Sequence, residues 1–212
     1  MREQIYTIDI NDAFDAREGC PLCALTVKYE NTLYEYILGP AMMEPDVRIE
    51  TNRDGFCHRH LQGMAARKNK LSFALILESL LMEINKKPSR EISSHRSSCY
   101  LCRREDKYLA LLLSNVAQLW RKEPEFARKW ETVQGFCLPH TGAMTDAAVR
   151  ELGKKQGADF ARETIKAAAR HAAALQDSVT GFCRSFDHRS AGQPFDKNAV
   201  DSACMWLGGT RR

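Results

Sequence analysis

At 212 residues the chain is long enough for one large domain or two small ones with a real hydrophobic core. A composition of 44% hydrophobic and 27% charged residues, with 12 Gly and 7 Pro, excludes a disordered or fibrous protein. The formal charge of +4 is too small to demand a nucleic-acid partner.

Taken in chain order, Ile5-Tyr6-Thr7-Ile8-Asp9-Ile10 alternates in part and is expected to form a short extended arm. From Cys23 to Leu38, residues Leu25, Tyr29, Leu33, Tyr36 and Ile37 recur every three or four positions. That period predicts a helix, which Gly39-Pro40 ends. Pro45 and Pro124 suit the first turns of later helices. Leu71, Leu75, Leu81 and Met82 lie in a run of helix formers, and Leu109 to Trp120 and Pro124 to Val133 read the same way. A helix is expected around Ala158–Val179 and a short last one near Asn198–Leu207. The best apolar run, Leu71 to Met82, is broken by Ser72, Glu78 and Ser79, well short of the roughly 18 residues of a membrane span. Met1-Arg2-Glu3-Gln4-Ile5 lacks the apolar segment of a signal peptide, so the expected location is cytoplasmic, with no membrane partner.

An internal repeat organises the chain. Cys20-Pro-Leu-Cys23, Lys28-Tyr29, Glu44-Pro45, Glu50-Thr51, Gly55-Phe56-Cys57-His58-Arg59-His60 and Met64 recur in order. Their counterparts are Cys99-Tyr-Leu-Cys102, Lys107-Tyr108, Glu123-Pro124, Glu131-Thr132, Gly135-Phe136-Cys137-Leu138-Pro139-His140 and Met144, displaced by about 80 positions. The expected architecture is all-α with two pseudo-repeated halves, 1–86 and 99–153. A polar linker at 87–98 joins them, and C-terminal helices and a tail follow at 154–212.

Eight cysteines in a reducing compartment read as metal ligands or redox groups rather than a disulfide frame. Structural zinc takes four Cys or His ligands in tetrahedral array, and two residues separated by two others can face one ion from a first helical turn. Each repeat holds a Cys-x-x-Cys and a Cys-x-x-His, which predicts two Cys₃His sites. Each repeat is expected to supply one site, with Cys20, Cys23, Cys57 and His60 holding one ion and Cys99, Cys102, Cys137 and His140 the other. Leu138 stands where His58 would, so the repeat selects His60 over His58. Gly55 and Gly135 allow unusual backbone angles before a ligand, and Phe56 and Phe136 would wall the sites. Four protein ligands leave no open position, the mark of a structural ion. The net charge of −1 could be offset by Arg59, Arg103 or Arg104, which otherwise read as solvated charges.

The alternatives use the same residues. Cys20-Pro-Leu-Cys23 has the spacing of a redox dithiol, and Cys₃His can hold an iron–sulfur cluster. Haem attachment is excluded, because Ala24 and Arg103 follow the two pairs where His would be needed. Gly181-Phe182-Cys183 imitates the motif, but His188 is five positions on and no Cys-x-x-Cys precedes it. Cys183 therefore reads as coincidental or buried, and Cys204 as a small core residue. His171 shares a stripe with Phe160, Thr164, Ala167, Leu175 and Val179 and reads as a core histidine. Arg67-Lys68-Asn69-Lys70 and Arg103-Arg104 lack interleaved aromatics, so they read as solvated faces and nucleic acid is not the expected partner. No phosphate loop, nucleophile elbow or His-Glu-x-x-His is present.

Pro21-Leu22-Cys23-Ala24, Met43-Glu44-Pro45-Asp46-Val47-Arg48, Gly55-Phe56-Cys57 with His60, and Phe186-Asp187 with Arg189 resemble an uncharacterised bacterial family of unknown function over almost the whole chain. His188 stands where such proteins tend to carry Tyr. The resemblance implies the architecture and no activity. The expected role is a non-enzymatic, zinc-stabilised protein that binds another protein; the alternative is a redox-active or iron–sulfur protein using the same cysteines.

Overall fold

The structure is a computed structural model that describes residues 2–16, 19–86, 98–188 and 193–209. Among these are nine α-helices: α1 (Arg2–Asp15), α2 (Pro21–Ile37), α3 (Pro45–Asp54), α4 (His58–Ala65), α5 (Lys70–Asn85), α6 (Tyr100–Lys122), α7 (Pro124–Thr132), α8 (Leu138–Arg184) and α9 (Ala199–Gly208). A 3₁₀ turn at Pro40–Met43 precedes α3. The all-α expectation holds, and among the described residues there is no strand. The predicted linker lies, apart from Ser98, outside the described residues, as does Arg189. The chain forms two compact units, Met1–Leu25 with Ala110–Arg212, and Thr26–Leu109.

In the Thr26–Leu109 unit, Leu33, Tyr34, Ile37 and Leu38 of α2 and its exit pack with Val47, Met64, Ile76, Tyr100 and Leu101. Prolines begin α3 and α7 where their missing N–H costs nothing. Asn69 caps α5 by accepting from the Ser72 amide at 3.3 Å. The equivalent residues Tyr29 and Tyr108 stack face to face, ring centres 3.9 Å apart, so the two repeats meet inside this one unit.

In the other unit, Phe14 of α1, Phe126 and Trp130 of α7, Phe136 in the loop before α8, and Phe160 of α8 form a buried aromatic cluster. The Trp130 indole donates to Thr164 Oγ1 at 3.1 Å, so its one polar atom is satisfied in the core. The extended arm expected at Ile5–Ile10 is instead part of α1. Ile10 and Phe14, four apart, are both buried there, and Lys129 of α7 reaches the Asn11 and Asp15 side chains at 2.8 Å. Burial of one helical face against α7 overrides the weak strand signal of the isoleucines.

The helix expected at Ala158–Val179 is the second leg of α8, which kinks at Gly153 (φ 74°, ψ 174°). Gly157 lies so close to the first leg that an added Cβ would sit 2.7 Å from the Ala148 carbonyl oxygen and 2.9 Å from the Val149 Cα. Backbone atoms cannot step aside as a side chain can. Gly157→Ala should therefore cost about 1–3 kcal/mol, read as a lowered urea midpoint; an unchanged midpoint would contradict this packing.

Candidate metal centre

The eight predicted residues come together in two groups of four, but not in the predicted pairs. Cys20, Cys23, Cys137 and His140 form a first quartet, and Cys57, His60, Cys99 and Cys102 a second. Each repeat gives its Cys-x-x-Cys to the other repeat's Cys-x-x-His, which corrects the expectation that each repeat closes on itself. Each quartet lies wholly inside one compact unit.

Four helix starts build the two groups. Cys20 and Cys99 immediately precede α2 and α6, whose first turns carry Cys23 and Cys102. Cys57 and Cys137 are the N-cap residues of α4 and α8, extended at φ −75° and −61°, and His60 and His140 stand in the first turns that follow. Each cap sulfur turns toward the histidine in the first turn of its own helix, at 3.3 Å in α4 and 3.2 Å in α8, and so points into its quartet. Each quartet thus sits between two helix N-termini, whose unpaired amides and dipoles favour thiolate. Gly55, at φ 64°, ends α3 just before Cys57, and its carbonyl accepts from the Tyr100 amide at 3.0 Å. That bond ties the start of α6 to the α4 loop.

In the first quartet, His140 Nδ1 lies 3.6, 3.4 and 3.2 Å from the sulfurs of Cys20, Cys23 and Cys137, and Cys23 and Cys137 are 3.5 Å apart. In the second, His60 Nδ1 lies 3.3, 3.2 and 3.4 Å from Cys57, Cys99 and Cys102, and Cys57 and Cys102 are 3.7 Å apart. A tetrahedron around zinc with ordinary bond lengths has sulfur–sulfur edges of about 3.8 Å and sulfur–nitrogen edges of about 3.6 Å. The donor sets fit one ion each. All eight cysteines are free thiols.

Crowding three thiols without a cation has a visible cost. Burial pushes the Cys99 thiol up, but the facing His60 imidazole outweighs it and brings it down to about 6. Burial, then the Cys99 charge, pushes Cys102 up to about 12. Burial pulls His60 down, yet Cys99 and Glu105 outweigh it and lift the imidazole to about 9. In the other quartet the Cys20 hydrogen bond lowers Cys137, but Cys23 and burial carry it up to about 11. Burial, aided by Cys137 and Cys23, pushes Cys20 well above its ordinary value. Only one thiolate is comfortable in such a cluster; a divalent cation lets all three ionise. At pH 7 the metal-free second quartet keeps protons at least on Cys102 and His60, which an arriving ion must displace. Zinc affinity there should rise at least about 100-fold per pH unit near neutrality and fall equally on acidification. Competition with a chromophoric chelator at pH 6.5 and 7.5 measures this; a pH-independent affinity would contradict the ligand set.

The second quartet has a supporting shell that sequence reading missed. His60 Nε2 faces Glu105 Oε1 at 3.3 Å and Glu30 Oε1 at 3.6 Å. Arg59, read from the sequence as a solvated charge, bridges Glu105 at 2.7 Å and Glu30 at 3.0 Å. Glu105 is 3% exposed, so its charge depends on these partners. Although Glu30, His60 and Glu105 could themselves surround a cation, the guanidinium already supplies that charge. Glu105 follows Cys102 by three positions on α6, the same-face spacing that would have signalled it. Arg103 pairs with Glu50 and the buried Asp54, and Arg104 lies 4.7 Å over the Tyr100 ring.

The weaker candidates fall elsewhere. Cys183 and Cys204 are exposed rather than buried, and His188 is exposed, all outside both quartets. His171 is half-buried and not a satisfied core residue: burial lowers its pKa, and its ring lies near Trp206, 6.3 Å between centres. Phe136 is fully buried behind the first quartet, and Phe56 is half-buried against the second.

These features define a helical protein with two Cys₃His clusters, each shared between repeats. The chain belongs to a family of unknown function, DUF6062, whose model matches residues 1–211. No curated protein and no solved structure matches it.

Proposed function

We propose that the protein binds two zinc ions, one in each quartet, and that these ions tie its repeats together in a non-enzymatic interaction module. The observation that carries this reading is the closure of each quartet: three sulfurs and one Nδ1 at tetrahedral spacing, leaving no protein-free position on the ion. Separations this short suit a single ion. Ligands of a multi-iron cluster bind different irons and splay around it, which weighs against an iron–sulfur reading. Sulfurs 3.5 and 3.7 Å apart are also well beyond the roughly 2.05 Å of a disulfide. No helix among the described residues is long and apolar enough to cross a membrane, and a cytoplasmic setting suits free thiols. Exposed Met43, Ile49 and Leu71, at 65–77% of their surface, support a protein partner. Elemental analysis of anaerobically purified protein should find about two zinc per chain and no visible colour. Iron with brown colour, or metal-free thiols that cycle reversibly with a disulfide, would replace this reading with the redox one.

A further inference from the structure

The two quartets share ligands and spacing but differ in what surrounds them. In the second, the imidazole nitrogen turned away from the sulfurs lies 3.3 Å from the buried Glu105 and 2.9 Å from Arg59 Nη2, and Arg59 also clamps Glu105 at 2.7 Å. Such carboxylate–histidine contacts fix the ring and strengthen it as a ligand, and losing one costs about 10–100-fold in metal affinity. In the first, His140 Nε2 has no hydrogen-bond partner among the described residues. The repeat position matching Glu105 is occupied by Thr26, which carries no charge.

The cavities beside the quartets differ too. The second borders a space of about 680 Å³ walled by Phe56, Leu61, Leu80 and Ile84, with Ser98 and the exposed His58 at its edge. The first borders a space of about 310 Å³ that carries metal-binding groups beyond the quartet, His171 and Asp196, between Trp206 and Met205. Among the described residues His171 makes no hydrogen bond, and its lowered pKa leaves the ring neutral with a lone pair available. Gly135 holds it close, since a Cβ there would lie 2.5 Å from the His171 Cβ. The chain leading into Cys137 therefore runs directly against a neutral imidazole that makes no hydrogen bond among the described residues.

We propose that the first quartet is an exchangeable metal site, loaded and emptied through this cavity with His171 as the transit ligand, while the second holds its ion permanently. The proposal rests on the two-ion reading above. An ion leaving a closed tetrahedral site exchanges one ligand at a time, and imidazole suits zinc as an intermediate partner. The cavity of the first quartet offers that partner in the half-buried His171, whereas the imidazole of the second cavity, His58, stands exposed at its edge.

The test mixes the zinc-loaded full chain with excess chromophoric chelator in a stopped-flow instrument. Two phases of about one zinc each are expected, at least tenfold apart in rate. Cys137→Ser should abolish the fast phase and Cys57→Ser the slow one. Glu105→Gln, which keeps the side chain's shape and every quartet ligand, should speed the slow phase about 10–100-fold, and it carries the assignment even if a cysteine variant does not fold. His171→Ala should slow the fast phase severalfold and still bind two ions. A single phase, a fast phase belonging to the second quartet, or an unchanged fast phase in His171→Ala overturns the proposal. A wild-type chain without metal instead overturns the two-ion reading beneath it.

Discussion

The double variant Cys20→Ser/His140→Ala should retain about one zinc per chain, and Cys20→Ser/His60→Ala about none. The opposition arises because Cys20 and His140 lie in the same quartet, whereas Cys20 and His60 lie in different ones. If each repeat closed on itself, the two results would change places. Metal content after gel filtration reads the outcome directly, and helical circular dichroism of each variant guards against a trivial loss of fold.

Complete removal of metal should unfold the Thr26–Leu109 unit while leaving the aromatic core of the other unit largely intact. Structural zinc contributes roughly 10–16 kcal/mol in small zinc-dependent peptides, comparable with the roughly 5–15 kcal/mol total stability of an ordinary domain. In this unit α4 is only eight residues long, too short to persist alone, and it presents both Cys57 and His60. The other unit has an aromatic core of Phe14, Phe126, Trp130, Phe136 and Phe160, whose burial holds it independently of any ligand group. Trp120, Trp130 and Trp206 all lie in that unit, so tryptophan fluorescence reports on it alone. A strong chelator under reducing conditions should therefore reduce far-ultraviolet helicity well before it shifts tryptophan emission. Helicity that survives complete stripping would show that the ions are not structural.

The ligand types were readable because metal chemistry demands them at fixed local spacings: two residues apart at a helix start, with glycine just before. Helices were readable from their three- and four-residue periods. The pairing was not, because a repeat is symmetric in sequence and gives two equally regular ways of joining its parts. Chain distance does not decide: His60 is 39 positions from Cys99, and Cys23 is 34 from Cys57. The choice is made by packing, visible in Tyr29 stacking on its own counterpart Tyr108. Local pattern also misread α1, where the isoleucines alternate weakly but tertiary burial of Ile10 and Phe14 selects a helix. His171 looked internal because its stripe is apolar; the cavity that exposes it forms only when α9 and the segment at Asp196 arrive from later in the chain.

The crossed arrangement also sets a timetable. All ligands of the Cys57 group lie between positions 57 and 102, nested inside the interval from 20 to 140 that the Cys20 group spans. A chain growing from its N-terminus can close the inner loop while the outer one still awaits its last forty residues of ligand-bearing sequence, roughly, and closing the longer loop costs only slightly more entropy. During synthesis, Cys20 and Cys23 are made well before Cys137 and His140, so this dithiol waits open until the later half of the sequence emerges.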